Sequence, residues 1–368
     1  MKDSILRWLD ISRHQIEQRR RLIFPAVILF GFIIDWLTLN RADQIFDNIV
    51  FITHILITGA MIAVLYIAPY RGEHSRLRKY QPWFTLLLLF SLGSLFSGFF
   101  VIYFRSASLA VSFPFFLGIL ILFSMTEWKK DLYTKNLFPQ LLAYYVVIFL
   151  YLIFFIPIIV REISSLVFIV SGLLSLIVIF AYIFLLRKVI RIGIDAIARK
   201  LQIGIFLTFI FINAIYFMSV IPPIPLALKS VGVYHEISKS DAGEYFGLYE
   251  RSRWYPFLNQ TDDLHLQSGD DVYVFAAIFA PARISTTLLH KWDWYNPVTR
   301  RWEEVNQIPV VINGGRDGGY RGYSKKSSLR GGSWRVRFTT ENGQVLGIFR
   351  FTLEFDNEYE RKLRSRKL

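Results

Sequence analysis

GGSWRVRFTTENGQVLGIFRFTLE occupies Gly331 to Glu354. Its first half alternates, with Trp334, Val336 and Phe338 on one face and Arg335, Arg337 and Thr339 on the other. Period-two alternation marks a strand with one buried face. Asn342-Gly343 follows, the strongest short hairpin signal, because both residues tolerate the positive φ that a two-residue turn demands. With those two at the turn, Trp334 faces Phe351, Val336 faces Phe349 and Phe338 faces Gly347. All six lie on one face, so register and hydrophobic pattern agree. On the other face Arg335 falls opposite Arg350, with Arg337 two residues along. Like charges paired across strands cost roughly 0.2–1 kcal/mol; an anionic ligand or an Asp or Glu on a neighbouring strand would offset that, and simple solvation of the side chains is the remaining alternative.

Working outward, further strands surround the hairpin. DVYVFAAIFAP (Asp271–Pro281) is a continuous β-branched and aromatic run ending at proline. HKWDWYNPVTRRW places His290, Trp292 and Trp294 on one face, turns at Asn296-Pro297 and continues with Trp302. Tyr320–Ser327 reads as a basic strand among glycines. Short strands separated by turn residues predict an all-β sandwich, immunoglobulin-like or similar, over 271–356. Residues 227–270 read as a linker or extension with a short helix around Ser240–Leu248, and 357–368 as a basic tail.

The preceding half is of another kind. The chain has 368 residues, 54% hydrophobic, with 34 Phe and no Cys, which excludes disulfides, thiolate catalysis and Cys-based zinc sites. Apolar runs crowd before residue 226 and predict a bundle of seven transmembrane helices, at 22–39, 49–68, 83–104, 107–125, 138–160, 163–186 and 203–221. The N-terminal segment 1–21 and the second, fourth and sixth loops carry 18 Lys and Arg, whereas the first, third and fifth carry three. Basic residues accumulate on cytoplasmic loops, so the N-terminus is expected in the cytoplasm and residues after about 226 outside it. Residues 1–21 read as a cytoplasmic amphipathic segment. Arg187, Arg191, Asp195 and Arg199 recur every four residues, which predicts one polar stripe on a helix with i±4 ion pairs.

The formal charge of +14 is concentrated in the membrane half, where residues 1–226 hold 21 basic against 11 acidic side chains. Residues 227–368 hold 21 against 17, which argues against a nucleic-acid partner. The six His have no zinc-like spacing, and no GxSxG elbow or P-loop appears, so the chain reads as non-enzymatic, without metal or cofactor. The candidate ligand-binding surface is Arg335, Arg337 and Arg350, with Tyr320, Tyr323, Lys325 and Lys326 from an adjoining strand. Trp292 and Trp294 are a candidate aromatic platform, with core packing as the alternative. Asp35 and His54 are the candidate intramembrane polar pair, and Gly59/Ala63, Gly93/Ser97 and Ser94/Gly98 are helix-packing seams.

The residues His290, Trp292, Tyr323, Ser324, Lys325, Gly332, Trp334, Val336 and Gly343 resemble the pattern of a small extracytoplasmic domain of unknown function found in bacterial envelope proteins. The resemblance covers Phe279 to Glu354. The part before it resembles a proteobacterial membrane domain often joined to that one. This resemblance implies the inner membrane of a Gram-negative cell, with the β-domain in the periplasm. The expected function is a non-enzymatic inner-membrane protein whose β-domain binds an envelope protein or an anionic glycan or lipid. The alternatives are a transporter or membrane enzyme working at Asp35 and His54, and an accessory subunit of a larger membrane complex.

Overall fold

Long apolar runs in lipid must satisfy their own backbone polar groups, which makes them helices. The computed structural model describes residues 32–39, 44–67, 77, 80–105, 109–128, 136–189, 194–222, 226–241, 243–250, 263–280, 284–314 and 319–368. Residues 32–38 are helical, followed by α1 (Ile45–Ile67), α2 (Gln81–Arg105), α3 (Leu109–Trp128), α4 (Leu137–Val160), α5 (Ser165–Val189) and α6 (Ala198–Phe217). Five of these, α1, α2, α4, α5 and α6, are long and apolar enough to cross a membrane. The other two expected spans coincide with the stretch 32–38 and with α3, whose described apolar part is Ser112–Leu122. The segment 1–21 and the second and fourth basic loops lie outside the described residues.

The chain divides into two compact units. The first holds most of the helical bundle: residues 1–102, 116–153 and 170–212. Its helices turn large apolar side chains outward, among them Phe46 and Leu56 of α1, Ile177 and Phe184 of α5, and Leu207 and Phe211 of α6. Small residues set the inner seams. A Cβ on Gly59 would lie 2.7 Å from the Tyr144 hydroxyl, and one on Gly98 would lie 2.8 Å from the Phe51 ring. Tyr182 Oη closes the first seam by donating to the Gly59 carbonyl at 2.7 Å. Of the expected stripe, Arg187 Nε meets Asp195 Oδ1 at 2.7 Å, and Arg191 lies outside the described residues.

The second unit, residues 103–115, 154–169 and 213–368, carries eleven strands in three sheets among the described residues. They are β1 (Ala227–Tyr234), β2 (Glu236–Lys239), β3 (Tyr245–Glu250), β4 (Asp263–Leu266), β5 (Val272–Phe279), β6 (Ser285–Asn296), β7 (Arg301–Asn313), β8 (Tyr320–Lys326), β9 (Gly332–Thr340), β10 (Val345–Phe355) and β11 (Leu363–Lys367). The sheet orders are β1-β5-β8, β4-β10-β9-β6-β7 and β11-β3-β2. The first two sheets close over a core containing Val272, Val274, Ala276 and Ile278 from β5 and Trp292, Trp334, Val336, Phe338 and Phe351 from the five-stranded sheet. The third sheet packs on the other side of β5, where Phe275 and Ala277 meet Tyr234, Ile237, Tyr245 and Tyr249. This explains the unbroken apolar run of β5, because a strand covered on both faces has no polar face to show.

The predicted pairing of the hairpin is observed: Trp334 with Phe351, Arg335 with Arg350, Val336 with Phe349 and Phe338 with Gly347. The turn differs. Thr340 and Gln344 close it, the Gly343 N–H donates to the Thr340 carbonyl at 2.9 Å, and Gly343 has φ +82. Three residues therefore form the loop, and a register shift between Val345 and Gly347 restores the pairing that a two-residue turn would have set.

Three expectations are corrected here. Residues 227–270 are not a linker but contribute four strands, with β1 pairing with β5 and β4 running parallel to β10. Strands of four residues such as β2 and β4 leave too few positions for a periodic signal. The helix expected around Ser240–Leu248 is a turn followed by β3, because Gly243 takes φ +78 and the aromatic run Tyr245-Phe246 favours strand. The basic tail 357–368 ends as β11, antiparallel to β3. Main-chain pairing needs no apolar pattern, and Arg366 adds stacking on the Tyr234 and Tyr249 rings.

Candidate functional site

Alternation along β9 and β10 sends Arg335, Arg337 and Arg350 to the outer face of the five-stranded sheet. β6 lies beside β9 and pairs Asp293 with Arg335. Asp293, 1% exposed, accepts from Arg335 Nε at 2.7 Å and from Arg337 Nε and Nη2 at 2.6 and 2.9 Å. Glu304 of β7 takes a further bond from Arg337 Nη2 at 2.9 Å. The shift between Trp292 and Asp293 leaves Val305 without a partner and sets Glu304 opposite Asp293, which brings it within reach of Arg337. The expected negative charge beside the arginines is therefore supplied by neighbouring strands.

Arg350 stands apart. It is exposed and has no hydrogen bond or ion pair among the described residues. It lines a groove of about 280 Å³ with Trp302, Ser333, Trp334, Phe351 and Thr352. The Arg335 guanidinium lies 4.6 Å over the Trp302 ring and stiffens one wall. Ser333 and Thr352 face each other across the strands.

The other expected residues lie elsewhere. β8 does not adjoin β9 but pairs with β5 in the opposite sheet. Tyr320 packs on the central core, and Lys326 lies over the Trp334 ring at 5.9 Å, where burial lowers its pKa. Tyr323 contacts Tyr245 and Tyr273 on the side of the third sheet, and Lys325 pairs with Asp271 at 2.6 Å. The single basic surface expected from both strands is thus split by the sandwich core. Trp292 is fully buried, and Trp294 donates to the Gly331 carbonyl at 3.1 Å beneath Arg330, so they form no open platform. In the bundle, the His54 ring packs on Phe90, and Asp35 and His54 form no ion pair with each other.

Two polar clusters went unrecognised in the sequence. In the first, Ser324 of β8 reaches across the core to β6. The Trp292 indole N–H donates to Ser324 Oγ at 3.1 Å, and His290 Nδ1 lies 3.0 Å from the same oxygen. Burial lowers the His290 pKa to about 4, so the ring is neutral. Both residues are sealed from solvent, which makes this a structural pin between the sheets. The second cluster ties together all three sheets. Glu250, at the end of β3, accepts from His235 Nε2 at 2.7 Å, from His265 Nδ1 at 2.8 Å and from the His265 N–H at 2.9 Å. Burial pushes the Glu250 carboxyl up, yet these hydrogen bonds outweigh it and hold its pKa below the usual value. Tyr359 stacks on His265 at 3.8 Å. The imidazoles point at the carboxylate, and among the described residues no group of His, Cys, Asp or Glu is arranged to hold a metal ion.

Residues 285–353 match the model of a family described as a protein of unknown function, DUF2914. The match runs from β6 into β10 and contains His290, Trp292, Ser324, Asp293 and all three arginines. A search of the curated proteins finds no match to the chain. Among solved structures, an immunoglobulin-like protein of Pseudomonas aeruginosa is 12% identical, covering 34% of this chain and 98% of its own, with a TM-score of 0.19. A β-glucosidase from Listeria innocua is 13% identical over 31% of this chain and 16% of its own, with a TM-score of 0.18.

Proposed function

We propose that this chain is a multi-pass inner-membrane protein of seven spans that carries a non-enzymatic β-domain on the periplasmic side. There the outer face of the five-stranded sheet binds an anionic envelope polymer or partner. The alternation of basic loops supports the orientation, and the outward apolar side chains of α1, α5 and α6 support the membrane bundle. The observation that carries the binding reading is Arg350, a cation without a partner among the described residues, on a face whose other two arginines pair with Asp293 and Glu304.

The absence of Cys makes orientation directly testable. Val298, 89% exposed, is replaced with Cys, and intact cells are treated with a membrane-impermeant maleimide. Labelling before lysis is expected, and labelling only after lysis overturns the orientation. For binding, the full-length protein in zwitterionic nanodiscs is titrated with polygalacturonate and with poly-L-glutamate. At least one polyanion is expected to bind and to be lost in Arg350→Glu, and no binding to either overturns the reading.

A further inference from the structure

Resting on that binding reading, we propose that the groove between Trp302 and Arg350 takes one acidic sugar residue, a pyranose ring bearing a carboxylate. Four features of the groove converge on this chemistry. Arg350 offers a guanidinium with no partner among the described residues, and guanidinium and carboxylate match in geometry and charge. Ser333 and Thr352 sit as a facing pair, and neither hydroxyl has a hydrogen-bond partner among the described residues. Two adjacent free hydroxyls suit a ligand that itself carries hydroxyls. Trp302 supplies an aromatic wall held by Arg335, itself fixed by Asp293 at 2.7 Å. A rigid indole is suited to the apolar face of a sugar ring. Finally, the volume of about 280 Å³ lies at the small end for ligand sites and suits one ring of a polymer rather than a folded partner.

A glutamate homopolymer offers the carboxylate but no ring for Trp302 and no hydroxyls for Ser333 and Thr352.

The test uses full-length protein in zwitterionic nanodiscs, titrated calorimetrically with trigalacturonate, neutral maltotriose and tri-glutamate. Trigalacturonate is expected to bind, weakening with added salt, while the other two bind at least about tenfold more weakly. Arg350→Gln is expected to weaken trigalacturonate at least about tenfold, the effect of losing one charge-assisted hydrogen bond. The paired change Ser333→Ala with Thr352→Val, which leaves the Trp302–Arg335 stack in place, is expected to weaken it severalfold. Arg321→Gln, on β8 of the opposite sheet, is expected to have no effect. Equal binding of tri-glutamate, or trigalacturonate binding indifferent to both groove variants, overturns the sugar assignment. Arg350-dependent binding of glutamate alone would leave the broader binding reading standing while removing this one.

Discussion

Arg335 and Arg350 face each other across β9 and β10, and of these two Asp293 pairs with Arg335, whose Nε lies 2.7 Å from Oδ2. The like-charge pair survives because a buried carboxylate from the next strand holds one member back. Asp293→Ala would leave Arg335 without a counter-charge and Arg337 with Glu304 alone. Removing one partner of a buried ion pair costs about 3–5 kcal/mol. A clear drop in the thermal midpoint of the full-length protein in detergent is expected, with a smaller drop when Arg337→Leu is added. An Asp293→Ala variant as stable as the wild type would mean that the pairs contribute nothing.

Ser324 holds two buried groups at once, the Trp292 indole N–H and His290. Ser324→Ala strands both in the core, and an unsatisfied buried polar group costs about 1–3 kcal/mol. The expected readout is a lowered thermal midpoint together with a shift in tryptophan fluorescence from a loosened Trp292. If neither changes, the pin between the sheets is dispensable.

Two buried groups give the β-domain two separate acid responses. His290, with its pKa lowered to about 4, is neutral in the folded state and takes up its proton near 6.5 once unfolded. Its contribution therefore erodes as pH falls from about 6.5 toward 4. Glu250 is held below its ordinary value, so its contribution is intact above about 4.3 and is lost as pH falls through the depressed value. Thermal midpoints measured between pH 7 and 3 are expected to fall in both windows. His290→Phe should flatten the upper window, and Glu250→Gln the lower one. A Glu250→Gln profile parallel to the wild type below pH 4 would contradict the assignment.

The C-terminal strand β11 covers the edge of β3, and Arg366 lies between Tyr234 and Tyr249 at 5.3 and 5.4 Å from their ring centres. Arg361 adds an ion pair to Asp270 at 2.6 Å. Truncation after Asn357 removes all of these contacts and exposes an unpaired strand edge, which favours association. Faster limited proteolysis within 236–250 and a tendency to oligomerise are expected, with Arg366→Ala showing a weaker form of the proteolysis effect. Unchanged proteolysis of the truncated chain would show that β11 does not protect the third sheet.

Local patterning determined much of this protein. Apolar run lengths specified the helices of the bundle, and small residues such as Gly59 and Gly98 marked the seams where backbones and rings approach. Alternation specified the pairing of Trp334 with Phe351 and Arg335 with Arg350, because a one-residue slip would turn every apolar side chain to solvent. The same alternation required something to relieve the arginine pair. What only tertiary structure decided is which groups meet across sheets. Asp293 lies 42 residues from Arg335, and Glu250 lies 15 residues from each of its histidines. Such separations carry no periodic signature, since the contacts arise from sheet order rather than from strand sequence. The third sheet was hidden for the same reason: its strands are short or charged and hold together by backbone pairing, which any sequence can supply. Sheet order also placed β8 opposite β9, and that placement leaves Arg350, rather than a broad basic surface, as the open cation of this face among the described residues.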